Sequence, residues 1–245
     1  MTSILKANSI EPEGATTTIT VGETGQNVVI GADSIKNNVM KDAGGNAIFT
    51  SNGSGVLSGV NAGFGSAQVL ISTTTVSTAV ANISFTSGID STYKEYVFEY
   101  ITLNPATDSV ELQFQVSSDG GSSYGMNTTS TYFRAYHTVD NSAATLGYTT
   151  GRDVANSTAF VPMGFDLGND ADQAASGVLH IFNPSSTTYV KHYYGRISMQ
   201  QDSDAAFDGY VGGYINVGAT AINAVRFKMS SGNINAGTIK MYGIK

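Results

Sequence analysis

From Ser109 to Ser117 every second side chain is apolar. Val110, Leu112, Phe114 and Val116 fall on one side of an extended chain, and Glu111, Gln113 and Gln115 on the other. Side chains of a strand point alternately to its two faces, so this segment calls for a sheet with one face in a core and one in water. Tyr93 to Leu103 alternates too, but Tyr96, Phe98 and Tyr100 oppose Val97 and Ile101, so both faces are apolar. That pattern predicts a central or interface strand. Further strands are predicted over 67–72, 81–85, 131–138, 177–182, 189–199, 209–216, 224–229 and 238–243. No helical period longer than one turn appears among them. About ten strands with turn signals between them predict an all-β, two-sheet sandwich, and a jelly roll fits their number and length best. Pro105, Pro162 and Pro184 are expected in the connections, where a missing N–H is harmless.

Residues 1–65 read differently from residues 66–245. Short β-prone runs, Thr17–Val21, Asn27–Ile30 and Ala47–Thr50, are separated by Gly22, Gly25, Gly31, Gly44, Gly45 and Gly53, and the only aromatics are Phe49 and Phe64. So few large side chains cannot close a core alone. A flexible Gly/Ser-rich leader is one reading. The regular return of Ile and Val between the glycines favours the other: a thin β arm or shaft whose copies share a core. Residues 1–65 are thus expected to attach and trimerise the chain, and 66–245 to form the sandwich.

Composition narrows the function. Charged residues make up 13% of the 245, about half the globular norm of roughly 25%. Hydrophobic residues reach 41%, which argues against disorder. With no cysteine, disulfide frameworks, thiolate zinc sites and cysteine nucleophiles are excluded. A net charge of -7 opposes a nucleic-acid surface, whose affinity comes from Lys and Arg. No apolar run approaches the length of a membrane span, and Met1–Lys6 has no signal-peptide core. Neither membrane insertion nor a secretory route is expected.

The strongest local motif is Ser117, Asp119, Gly120, Gly121, Ser123 and Tyr124, directly after the best strand. Asp-Gly-Gly is turn chemistry, with glycine supplying positive φ, and predicts a hairpin. The spacing resembles the Asp-box of sialidase-type propellers and some carbohydrate-active proteins, which is itself a structural turn. One copy does not make a propeller. Asp166, Asn169, Asp170 and Asp172 form an acidic loop whose oxygens could suit calcium, although the glycine and terminal glutamate of a calcium hand are missing. Asp202, Asp204 and Asp208 make a second acidic group. Neither spacing selects the paired carboxylates of a glycosidase over loop decoration. The three histidines, His137, His180 and His192, lack a metal-ligand spacing, and the latter two are expected half-buried among tyrosines. No nucleophile elbow and no phosphate loop are present. Stretches such as Gly209 to Gly213 read as bends in strands. No cofactor and no catalytic residue is expected, so the protein is read as a non-enzyme.

The 13 tyrosines offer flat, rigid contacts for sugars or proteins. Tyr124, Tyr148 and Tyr210, placed at or beside expected loops, are the candidate receptor or glycan contacts; packing over sheet edges is the alternative. The loops over 138–159 and 164–176 are long and polar, and binding is expected there.

Ser3–Ile10, Thr18–Gly22, Gly53–Val56 and Ala62–Gly65 resemble the opening of virion structural proteins of marine tailed bacteriophages, often described as tail fibres. The body is similar too: Phe85–Tyr93, Val110–Gly121, Ile222–Gly232 and Gly237–Gly243. The resemblance spans nearly the whole chain through strand and turn pieces, so it implies a role in a particle and no reaction. It implies a homotrimeric surface appendage, a tail fibre or spike or a head fibre, assembled in the host cytoplasm with other tail or capsid proteins. A cytoplasmic origin accommodates the missing cysteines. Host surface glycans are a candidate partner. A capsid decoration or cement protein and a carbohydrate-binding module are the alternatives.

Overall fold

In the computed structural model, residues 39–42, 44–51, 54, 57–60, 67–216, 218 and 220–245 are described. The runs Thr17–Val21 and Asn27–Ile30 lie outside them. The chain divides into two compact units between Phe64 and Gly65. In the first, β1 (Val39–Lys41), β2 (Ala47–Ser51) and β3 (Leu57–Val60) form an antiparallel sheet in that order. The β1–β2 turn closes on Asp42, whose Oδ1 accepts the N–H groups of Gly44 and Asn46, both at 2.8 Å. Gly45 supplies the positive φ of 82°.

The second unit is all-β. Its strands are β4 (Gln68–Val76), β5 (Ile83–Phe85), β6 (Glu95–Pro105), β7 (Val110–Ser117), β8 (Thr128–His137), β9 (Ala144–Tyr148), β10 (Val161–Leu167), β11 (Ala175–Phe182), β12 (Lys191–Gln200), β13 (Ala206–Ile215), β14 (Ala224–Met229) and β15 (Ile234–Ile244). All pairings are antiparallel. They build a four-stranded sheet, β10-β7-β14-β5, and an eight-stranded sheet, β4-β15-β6-β11-β12-β13-β8-β9. Among the described residues there is no helix, and so none long and apolar enough to cross a membrane.

The two sheets face each other across one apolar core. Val110, Leu112, Phe114 and Val116 of β7 are all buried, as their alternation requires. Phe114 meets Tyr193 of β12 edge-on at 5.1 Å, and Phe98 of β6 packs on Phe85 and Phe227 at 5.4 and 5.5 Å. Phe165 of β10 lies between Tyr132 and Phe207. The guanidinium groups of Arg134 and Arg152 also pack on this ring, 4.5 and 4.9 Å from its centre.

Three sequence expectations need correction. Pro162 is not in a connection: it lies within β10 and pairs with Gln113. Because β10 is the edge of its sheet, one side of the strand needs no ladder donor. Likewise Pro105 is the last residue of β6. The Gly209–Gly213 stretch is no bend, since β13 keeps unbroken register with both neighbours from Ala206 to Ile215. Its glycines make room for tyrosines. A Cβ on Gly209 would meet the Tyr132 hydroxyl, and one on Gly213 would meet the Thr129 carbonyl and the Tyr193 hydroxyl. Finally, the Ser117–Tyr124 turn is not a hairpin, because β7 and β8 belong to different sheets. It closes on itself. Ser117 Oγ accepts from Asp119 N and Gly121 N, and the Asp119 carboxylate accepts from Ser117 Oγ, Ser123 N and Ser123 Oγ. Those bonds, with Asn223 Oδ1 accepting the Gly120 N–H at 2.8 Å, hold the turn, and they lower the Asp119 pKa to about 2, the Ser117 hydroxyl contributing most.

Candidate binding surface on the eight-stranded sheet

The inner side chains of the large sheet make the core, so the opposite parity of each strand makes its outer face. Cross-strand register places Tyr148 of β9 beside Phe133 of β8, Phe133 beside Tyr210 of β13, and Tyr210 beside Arg196 of β12. The rings of Phe133 and Tyr210 are parallel within 2°, with centres 4.8 Å apart. The Arg196 guanidinium continues the stack, 5.2 Å from the Tyr210 ring. Its forked donors engage both oxygens of Asp208, Nε at 2.9 Å and Nη2 at 2.6 Å. The Tyr210 hydroxyl donates to the same carboxylate at 3.1 Å. Asp208 is accordingly held below its usual carboxylate pKa, the Arg196 hydrogen bonds being the main cause, and Arg196 is raised. At the end of the row the Tyr148 hydroxyl donates to Asp153 Oδ2 at 2.6 Å, which raises the phenol pKa. Phe133 is 44% exposed and Tyr148 54%, high values for aromatic side chains on a sheet.

Beside this ridge runs a trough. Ala135 and His137 of β8, Ala206 and Asp208 of β13 and Ser198 of β12 line a depression of about 270 Å³. A second, of about 400 Å³, shares Ser198 and Ala206 and continues over Ser176, Gln200 and Asp204. The floor is low because its residues are Ala and Ser. A backbone irregularity in β6 orients one of them: Thr102, at φ 48°, points its N–H at Ser176 Oγ at 2.9 Å. That leaves the Ser176 hydroxyl its proton to donate. At the other side of the ridge, His180 stacks on Tyr194 at 4.5 Å and places Nδ1 2.6 Å from Glu95 Oε1.

Two of the three tyrosines singled out in the sequence, Tyr148 and Tyr210, thus fall in one row of this face, with Phe133 between them. Tyr210 stands in the middle of β13 and not beside a loop. Tyr124 is elsewhere. Its ring carries the Arg226 guanidinium at 4.0 Å, next to the four-stranded sheet, and its hydroxyl is buried with no partner among the described residues. Phe133 and Arg196 escaped the sequence reading, in which Asp208 stands only as one of an acidic group with Asp202 and Asp204. Their signal is an aromatic or paired charge on the otherwise polar parity of a strand, which becomes a surface only once register is known.

The acidic loop does not converge. Asp166 takes a left-handed φ of 59° and its carbonyl accepts from Asp202 N, while Asn169 N donates to Asp108. His137, His180 and His192 have separate partners: Asn141, Glu95 with Tyr194, and Tyr214. Among the described residues no group of three His, Asp or Glu side chains is placed to hold a metal ion. No family model, no curated protein and no solved structure matches the chain.

Proposed function

We propose that this chain is a structural component of a tailed-phage virion: a trimeric surface appendage, a tail fibre or spike, whose sandwich faces outward and contacts the host surface. The observation that carries the reading is the strand order of the second unit. Eight of its strands lie as β4-β15-β6-β11 opposite β5-β14-β7-β10. That is the order of a jelly roll, the double Greek key used by viral shell proteins and by lectins. The pairs β8-β9 and β12-β13 are insertions, one between β7 and β10 and one between β11 and β14, and both widen the same sheet. A jelly roll alone serves many functions. The phage-like stretches from Ser3 to Gly243 supply the particle, and the widened aromatic face supplies a surface for contact. We assign the protein no reaction.

Location in the particle tests this. Antibody-gold labelling of purified virions is expected to mark the tail fibres or tail tip. Label confined to the capsid faces transfers the protein to the decoration role, and particles without label remove the virion role altogether.

A further inference from the structure

We propose that the trough crossing β11, β12, β13 and β8 binds a neutral glycan chain. The inference rests on reading the sandwich as an outward-facing module and names what that module takes. The trough crosses four adjacent strands and so runs on the order of 15 Å across the sheet. Along one side stands the ridge of Phe133, Tyr210 and Arg196; its members stack on one another, so it turns apolar ring edges, and not open ring faces, towards the C–H groups of a sugar. The floor, Ala135, Ala206 and Ser198, is short enough for a bulky chain to lie close to the backbone.

Its polar groups decide the class of ligand. The guanidinium is already matched by Asp208, no Lys or other Arg is among the described residues lining the trough, and its one histidine, His137, has Nε2 3.1 Å from Asn141 Oδ1, so little is offered to a phosphate or a uronate. What remains is mainly acceptor: Gln200 and Gln173 both donate to Asp204 Oδ1, and Gln200 Oε1 accepts no bond from the described residues. Hydroxyl groups supply the missing donors, and the Ser176 proton supplies a return bond. The net charge of -7 opposes polyanions further. A second copy of the chain fits poorly, because the centre of a protein–protein contact is depleted of charge and this centre holds an ion pair.

The test uses the full chain in titration calorimetry against maltoheptaose, cellohexaose and fragments of mannan and galactan, with polygalacturonate as the anionic arm. At least one neutral oligosaccharide is expected to bind. Ser198→Tyr fills the trough from an exposed strand position, and Tyr210→Ala removes a wall; each is expected to weaken binding by at least about tenfold. Leu70→Ser, on the distant edge strand β4, is expected to leave binding unchanged. Melting curves of each variant separate lost binding from lost folding. Binding of polygalacturonate alone, no binding of any neutral chain, or wild-type affinity in a folded Ser198→Tyr overturns the proposal. So does a Ser198→Tyr variant that changes sedimentation while sugar binding persists, which assigns the trough to a subunit contact. Sugar binding by a chain absent from virions keeps the site and removes the virion role. Labelled virions without sugar binding do the reverse.

Discussion

Tyr100, Tyr132 and Tyr193 are buried in the core, yet each carries a polar hydroxyl that must find a partner there. Tyr100 donates to the Arg196 carbonyl at 2.7 Å and Tyr132 to the Met163 carbonyl at 2.9 Å; Tyr193 lies 2.9 Å from Thr128 Oγ1. Ionising any of them would place a phenolate in apolar surroundings. Burial therefore raises all three pKa values, that of Tyr193 to about 12. The folded state holds these protons more tightly than the unfolded chain, where the value is near 10.0. Their contribution to stability is complete below pH 10 and is lost as the pH rises from there through the folded values, for Tyr193 between 10 and about 12. The melting temperature is expected to fall across that window, with tyrosinate absorbance of the buried rings appearing together with loss of the strand signal in circular dichroism. Tyr193→Phe is expected to cost about 1 kcal/mol at neutral pH while making the alkaline loss shallower. A melting temperature that stays level from pH 10 to 12 would mean that these hydroxyls reach water.

At the scale of the strand, glycine and tyrosine work in pairs at several positions of the large sheet. Gly177 of β11 stands directly across from Tyr100 of β6, and Gly213 of β13 across from Tyr193 of β12. A ring laid over a neighbouring glycine covers exposed backbone and widens the sheet without widening the core. On Gly177 a Cβ would fall 2.1 Å from the Arg196 carbonyl oxygen and 2.8 Å from the Tyr100 ring, where neither can yield. Gly177→Val is expected to lower stability by about 2–3 kcal/mol in urea unfolding. Gly147→Ala in β9, with nothing within 4 Å of its Cβ, is expected to stay within about 0.5 kcal/mol of wild type. Equal effects at the two positions would show that backbone propensity, and not the tyrosine contact, decides. The strands that alternate strongly, such as β7 and β12, were legible in the sequence because each buries one parity. β10 was not, because Pro162 and Gly164 mask it and its place at an edge is a fact of topology. β9 was not, because an edge strand with mostly exposed residues carries no alternation to read.

For the molecule as a whole, a sequence can show which side chains are aromatic but not which strands become neighbours. Tyr148, Phe133, Tyr210 and Arg196 are spread over more than sixty positions, and only the insertion of β8-β9 and β12-β13 into one sheet sets them side by side. The same topology predicts how the chain divides. Among the described residues, the buried core of the sandwich runs from Val76 to Met241. Its first strand begins at Gln68, paired with Ile244, and the Lys245 N–H donates to the Ala67 carbonyl at 2.9 Å. A chain starting at residue 66 keeps every one of these bonds, so it is expected to fold with the melting temperature of the sandwich in the full protein. If residues 1–65 form the shared arm proposed for the trimer, the same truncation yields a monomer in sedimentation velocity, while the full chain sediments as a trimer. A truncated chain that still sediments as a trimer would move the interface into the sandwich. Exposed Leu70, Tyr189 and Tyr194 would then be the first positions to mutate, since large apolar side chains left in water are the usual core of such a contact.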